Sequence, residues 1–242
     1  MYINKECGIF MLKKRGFTLA EVLVTLGIIG VVSAMTVPTL MQNYQRKSYV
    51  TQLHKVYNIV QQATVQYMTD RNAVSLKEAG LNSEDAAANF IKQYFKVVQD
   101  CGTDQTPCFA ATADYKKISG VTLTKWYAKR HFVLADGTAI GTYYYGGTGA
   151  SQTVEVWVDT NGQKGPNIVG RDLFGMYLYN NGVIDDLAGK NVADDDSEVT
   201  ASVPISSDQR EKRFNNYCNS NSGTNYHGCF GKILNDNWEM TY

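Results

Sequence analysis

Lys13-Lys14-Arg15-Gly16-Phe17-Thr18-Leu19-Ala20-Glu21, followed by an apolar run to Val37 and then by Pro38, decides how this chain is read. Three positive charges abut a glycine, and about twenty residues carrying one charge, Glu21, follow. Roughly 20 helical residues at 1.5 Å rise cover the about 30 Å of a bilayer core. The basic cluster keeps its side of such a span cytoplasmic, which places the C-terminal bulk of the chain outside. Glu21 is the anomaly. A carboxylate near the centre of an apolar span costs about 2.5–3.5 kcal/mol on lenient insertion scales, so it needs a partner.

Chemistry suggests one. A cut after Gly16 makes Phe17 a new N-terminus, whose α-ammonium has a pKa near 7.7–8.0. Glu21 lies four residues on, one helical turn away, within reach of the ammonium of its own chain or of an adjacent copy. At about 4 Å and an effective dielectric near 20, opposite charges attract by about 4 kcal/mol, and desolvation consumes much of that. Such a device fits a helix that packs beside its own copies.

The segment from Lys13 to Leu23 resembles the N-terminal motif of the type IV pilin and type II secretion pseudopilin superfamily, and Pro38, where the apolar run gives way to an amphipathic helix, matches that family too. The resemblance is specific over about residues 13–45. It implies cleavage after Gly16 by a prepilin peptidase, N-methylation of Phe17, and use of Glu21 to align subunits drawn from the membrane into a helical filament. The leader is long, but Met11 offers an alternative start with a six-residue leader, Met11 to Gly16, and is read as the true start. The competing reading is an ordinary signal peptide or anchor. That reading requires neither Gly-Phe at the junction nor an acid four residues later, and no small-x-small cleavage site stands out.

The rest of the composition fits a membrane helix plus one folded domain in 242 residues. There are 23 basic and 23 acidic residues; taking away the four basic and one acidic residue of the leader leaves 19 against 22, a charge near −3. General nucleic-acid binding is not favoured. Apart from Cys7 there are four cysteines, Cys101, Cys108, Cys218 and Cys229, in two close pairs, which read as disulfides of an oxidising compartment. Four cysteines allow three connectivities, of which the two local ones are preferred. Loops this short stabilise by less than about 3 kcal/mol each in the chain-entropy model. A bridge near the C-terminus, as with Cys218 and Cys229, is also what the pilin resemblance implies.

Beyond Pro38 the pattern is helical: Tyr49, Leu53, Val56, Tyr57, Val60, Ala63 and Tyr67 recur at three and four. One helix from Phe17 to about Met68, about 80 Å at 1.5 Å per residue, is predicted, bent near Pro38, Gly27 and Gly30. Ser83, with Glu84 and Asp85, starts a second helix whose face is Ala87, Phe90, Ile91, Tyr94, Phe95 and Val98. His131–Ala135 and Thr138–Tyr145 around Asp136-Gly137 read as a hairpin; Thr153–Val158 and Leu173–Tyr179 are further strands. Residues 185–202 read as an acidic loop, and the chain from Asp208 as a polar tail. The predicted class is α+β, pilin-like: a long N-terminal helix, spanning the membrane in its first half, packed on an antiparallel sheet. The expected division is a leader over 1–16, a transmembrane and filament-core helix over 17–38, and an extracytoplasmic head over 39–242.

Three clusters compete for chemistry. Asp159, Asn161 and Asp172 offer alternating oxygens that suit calcium. However, Lys164 stands where an EF-hand needs glycine and no glutamate closes the loop, so a Gly/Asn/Pro turn is the preferred reading. Lys116, Lys117, Lys125, Lys129 and Arg130, with Trp126 and Tyr127, mix cations and stacking groups as single-strand binders do. A solvated strand face or contact with an acidic neighbouring subunit is preferred. Asp185, Asp186, Asp194, Asp195, Asp196 and Glu198 read as a solvated loop. His54, His131 and His227 fall in no catalytic or metal motif, and sixteen tyrosines suit half-buried strands or subunit interfaces.

The sequence therefore predicts a non-enzymatic structural subunit, pilin or pseudopilin and of the minor kind. It works without a cofactor unless the Asp159 loop takes calcium. Its partners are other subunits, prepilin peptidase and the cytoplasmic (inner) membrane. It is a single-pass protein with its head outside the cytoplasm, ending in an extracellular or periplasmic filament. The alternative is a monomeric membrane-anchored extracytoplasmic module for adhesion or for binding DNA or calcium.

Overall fold

The structure is a computed structural model, and it describes residues 16–145, 152–187, 203–224 and 226–242. Cys7, Met11, Lys13, Lys14 and Arg15, and the acidic residues Asp194, Asp195, Asp196 and Glu198, lie outside the described residues. The chain divides into two compact units, Met1–Tyr44 and Gln45–Tyr242, and helix α1 (Leu19–Asp70, 52 residues) contributes to both.

In the first unit the apolar side chains of α1, among them Val22, Leu26, Ile29, Val32 and Met35, are all exposed. Thr36 returns its hydroxyl to Val32 O at 2.9 Å. Pro38 sits inside the helix, where it removes one backbone donor. Within the second unit the same helix turns amphipathic. Val50, Leu53, Val56, Val60, Ala63 and Tyr67 are buried at helical spacing and share one core with the sheet.

Ser83 caps α2 (Glu84–Tyr94), accepting from Ala86 N at 3.1 Å. Glu84, in the first turn, accepts from Thr142 Oγ1 at 3.0 Å and from Tyr144 N at 2.7 Å, so an acid on the helix finishes the ladder of a neighbouring strand. The helix stops sooner than its apolar spacing implies. Phe95 is extended, and Val98, expected on the helix face, instead belongs to strand β1 (Val97–Gly102), where it is exposed. Two adjacent β-branched residues favour the pleated backbone at that point.

Among the described residues the sheet has eight strands. After β1 come β2 (Lys116–Lys117), β3 (Arg130–Leu134), β4 (Ala139–Tyr144), β5 (Gln152–Asp159), β6 (Ile168–Val169), β7 (Leu173–Tyr179) and β8 (Ile184–Asp185). Their spatial order is β1-β3-β4-β5-β7-β6-β2, with β8 also on β7. Pairing is antiparallel from β1 through β7 and between β7 and β8, and parallel only where β6 meets β7 and β2. The long helix and this mostly antiparallel sheet make the chain α+β. Every residue of β7 is buried, as a strand covered on both faces must be.

The covering element on the C-terminal side is the polar tail, which is not irregular. Ser206 and Gln209 form a capping box that starts α3 (Ser207–Arg213). A short π-helical turn, Phe214–Cys218, follows, and then α4 (Cys229–Asn235). Asp185 and Asp186, expected in a solvated loop, are fully buried and hold this region to the sheet. Asp185 takes Arg210 Nε at 2.9 Å, Arg210 Nη2 at 2.7 Å and Ile205 N at 3.0 Å. Asp186 accepts from Leu187 N at 2.7 Å, Gly228 N at 2.9 Å and Gly231 N at 2.6 Å. Cys218 and Cys229 are bonded, and Gly170, at φ +87°, lies against their sulfurs: a Cβ there would sit 2.9 Å from Cys229 Sγ. Cys101 and Cys108 are bonded as well.

Removing one partner of a buried ion pair is strongly destabilising. Asp185→Ala is expected to lower the unfolding free energy of the second unit by about 3 kcal/mol, measured by denaturant unfolding of the full chain in detergent, with Trp fluorescence as the probe.

Candidate functional site

Gly16, Phe17 and Thr18 are irregular backbone ahead of α1, and the Phe17 side chain is 88% exposed. The Gly16–Phe17 bond thus lies outside the helical ladder. Glu21 has turned back on this junction. Its Oε2 accepts from Thr18 N at 2.8 Å and Thr18 Oγ1 at 2.9 Å, while Glu21 N donates to Thr18 Oγ1 at 3.2 Å. This is a reciprocal capping box, and Thr18-Leu19-Ala20-Glu21 spells its T-x-x-E signature. The acid in the apolar run is therefore satisfied locally. Its carboxylate holds the N–H of the residue that follows Phe17, next to the position where a cut after Gly16 would free an amine. The helix beginning here is long and apolar enough to cross a membrane.

The oxygen-rich loop after β5 is the second candidate. Asp159 and Asp172 are both fully buried. Tyr115 donates its hydroxyl to Asp159 Oδ2 at 2.6 Å, and Asn161 N donates to Oδ1 at 3.2 Å. Asp172 accepts from Asn167 N at 2.8 Å and Ile168 N at 2.6 Å. Burial raises the pKa of both acids, that of Asp159 to about 8, with the charge of Asp172 adding to it. Beside them, Asn161 Oδ1, Asn167 Oδ1 and Thr160 Oγ1 are buried without a hydrogen-bond partner. Among the described residues no three His, Cys, Asp or Glu side chains gather as a metal-binding group, so any cation here would lean on amide oxygens.

Residues 11–37 match the family described as the prokaryotic N-terminal methylation motif. The chain carries a prepilin-type N-terminus. It is also similar to "Prepilin peptidase-dependent protein D" of Escherichia coli (strain K12), with 37% identity over 79 residues, 33% of this chain and 49% of that protein. The chain spans about half the length of the curated relative it matches. No solved structure matches it.

Away from its prepilin-type end, the basic segment 115–132 does not present one cationic surface. Lys116, Lys125 and Lys129 are exposed, but Lys117 is buried, Arg130 pairs with Asp85 at 2.6 Å, and Trp126, half-buried against the core, donates to His131 Nε2 at 2.9 Å. His54 stacks on Trp238 with ring centroids 3.9 Å apart. His227 is buried too, its Nδ1 against the Tyr177 hydroxyl. That hydroxyl also lies 3.0 Å from Glu155 Oε1, and Tyr145 donates to Glu155 Oε2 at 3.4 Å. Glu155 went unnoticed in the sequence because it is one polar residue in an alternating strand. Only its cross-strand register with Tyr177 places it inside.

Burial pushes Glu155 up to about 8 and His227 down to about 3, the latter helped by the charges of Arg213 and Lys117. At neutral pH the two, 3.8 Å apart, are a neutral acid and a neutral imidazole rather than an ion pair. An acid raised from 4.5 stabilises the fold below that value and loses its contribution as pH climbs toward 8. A histidine lowered from 6.5 contributes above that value and loses it as pH falls toward 3. Stability should therefore peak in mildly acidic solution. Glu155→Gln, which keeps the shape and cannot ionise, should lessen the decline toward pH 8, to which Asp159 adds its own share, while leaving the acid limb in place, read from melting midpoints between pH 3 and pH 8.

Proposed function

We propose that this chain is a pilin or pseudopilin subunit, of the minor kind, in a type IV pilus or type II secretion-like filament. Residues 1–16 act as the leader, cut after Gly16 by a prepilin peptidase, and the Phe17 amine is then methylated. Residues 17–38 anchor the precursor in the cytoplasmic membrane and later enter the filament core beside other subunits. Residues 39–242 form the head outside the cytoplasm. The observation that carries this reading is an acid at the start of an exposed apolar helix, four residues after a Gly-Phe junction in irregular backbone.

The capping geometry gives the reading a sequence of events. Before cleavage, Thr18 satisfies Glu21, so the precursor helix enters the membrane without an orphaned carboxylate. After cleavage the ammonium on Phe17 offers a stronger, charged partner, from the same chain or the next one. The acid then exchanges a local cap for a contact that can align neighbouring subunits.

Two measurements test this. Mass spectrometry of the membrane-extracted protein should find an N-terminus at Phe17 bearing one methyl group. Glu21→Leu should leave the protein inserted and cleaved yet remove it from sheared or co-purified filaments by at least tenfold. A Glu21→Leu chain that enters filaments at the parent level would sink the reading.

A second reading, hard-cation binding by the 159–172 loop, is favoured by its three unpartnered buried oxygens beside two acids. Asp159 and Asp172 would hold a calcium-like ion with Asn161 and Asn167, and the positive charge of the ion would favour the ionised form of two acids whose pKa values burial raises. Calorimetry of the full chain in detergent should give heat on calcium addition that Asp159→Asn abolishes. No heat from the parent protein ends this second reading and leaves the first untouched.

A further inference from the structure

Lys117, on β2, is a buried cation with an unusual set of partners. Its side chain is 1% exposed, and its ammonium donates to Tyr217 O, to Ser220 Oγ at 2.8 Å and to Ser222 O at 3.0 Å. An ammonium has three protons and no lone pair, so three acceptors satisfy it completely. All three are neutral: two carbonyls and one hydroxyl. Ser220 has its own proton committed to Tyr217 O at 2.9 Å, which leaves an oxygen lone pair to face the ammonium. No carboxylate is among these hydrogen-bond partners.

The loop supplying these oxygens is fastened to the segment that carries the lysine. Ser119 Oγ donates to Ser220 O at 2.9 Å, and Thr124 N donates to Gly223 O at 3.0 Å. Gly223 comes so close that a Cβ would stand 2.6 Å from Thr122 O. The Cys218–Cys229 disulfide anchors the same loop near its start. Oxygen dipoles so fixed on one point repel each other unless a positive charge occupies it. The set lacks the carboxylates that a divalent hard cation demands, and carbonyl and hydroxyl oxygens suit a singly charged ion.

We propose that residues 217–222 form a binding site for a monovalent, ammonium-like cation, and that the chain fills this site with its own Lys117 side chain. The loop folds around an internal ion as metal-binding loops fold around an external one. Burial without a counter-charge also lowers the pKa of Lys117 to about 8, as expected of an ammonium held by dipoles alone.

The test empties the site and offers replacements. Full-length Lys117→Ala in detergent is melted in ammonium, potassium and tetramethylammonium chloride at one ionic strength. Its melting midpoint should be depressed in tetramethylammonium, which is too large to enter, and at least half restored by ammonium or potassium. The parent protein, and Lys117→Met, whose apolar chain blocks the site, should not distinguish the three salts. A Lys117→Ala protein indifferent to the choice of cation overturns the proposal. Should that variant fail to fold, NMR of the ¹⁵N-lysine parent decides. One lysine ammonium resonance protected from water exchange near pH 6.5 and lost in Ser220→Ala supports the site, and uniformly fast exchange of every lysine ammonium overturns it.

Discussion

Two adjacent carboxylates at the end of β8, Asp185 and Asp186, hold the C-terminal helices on the sheet. Neither faces solvent, and between them they accept from one arginine and four backbone N–H groups outside their own peptide link. Buried charges on this scale are tolerable only when every lone pair is used. Asp185 answers the cost with a two-pronged guanidinium, and Asp186 with amides at the start of α4. The covering of β7, the seat of the Cys218–Cys229 bridge and the loop around Lys117 all follow from these attachments.

The same rule, that a charge among apolar side chains must be met in full, operates at the other end of the chain. Glu21 is tolerable in an apolar helix because Thr18 lies one turn before it. In the middle, Glu155 and His227 solve the problem differently: neither keeps its charge at neutral pH, and tyrosine hydroxyls serve both. Lys117 is the third solution, a full charge met by neutral dipoles. Three kinds of compensation therefore coexist in one small protein, set by which partner the local backbone can bring close.

Periodic segments were the ones legible in the sequence. The amphipathic half of α1, the cap at Ser83, the 130–144 hairpin and strand β7 all lie where alternation and turn chemistry place them. The misread elements lack periodicity or have their polarity answered from far away. The chain from Asp208 reads as a polar tail because its helices are short, and only Ser206-x-x-Gln209 marks a start. Asp185 and Asp186 looked solvated since their partners, Arg210, Gly228 and Gly231, lie 25, 42 and 45 residues on. Of the candidate site, the Gly16–Phe17 junction and Glu21 were visible because local chemistry defines them. The local partner of Glu21 is readable too, in the Thr18-x-x-Glu21 spacing of a capping box.

The stacking of Trp238 on His54 has a bearing on biogenesis. The apolar stripe of α1, with His54 and Tyr57 beside it, is made early, yet the aromatic rings that cover it, Trp238 and Phe230, follow far later in the sequence. Such non-local closure is slow, since chain entropy is lost before the contact forms. Until that contact forms the stripe must stay uncovered or be shielded by something else, and its burial marks the completion of the fold.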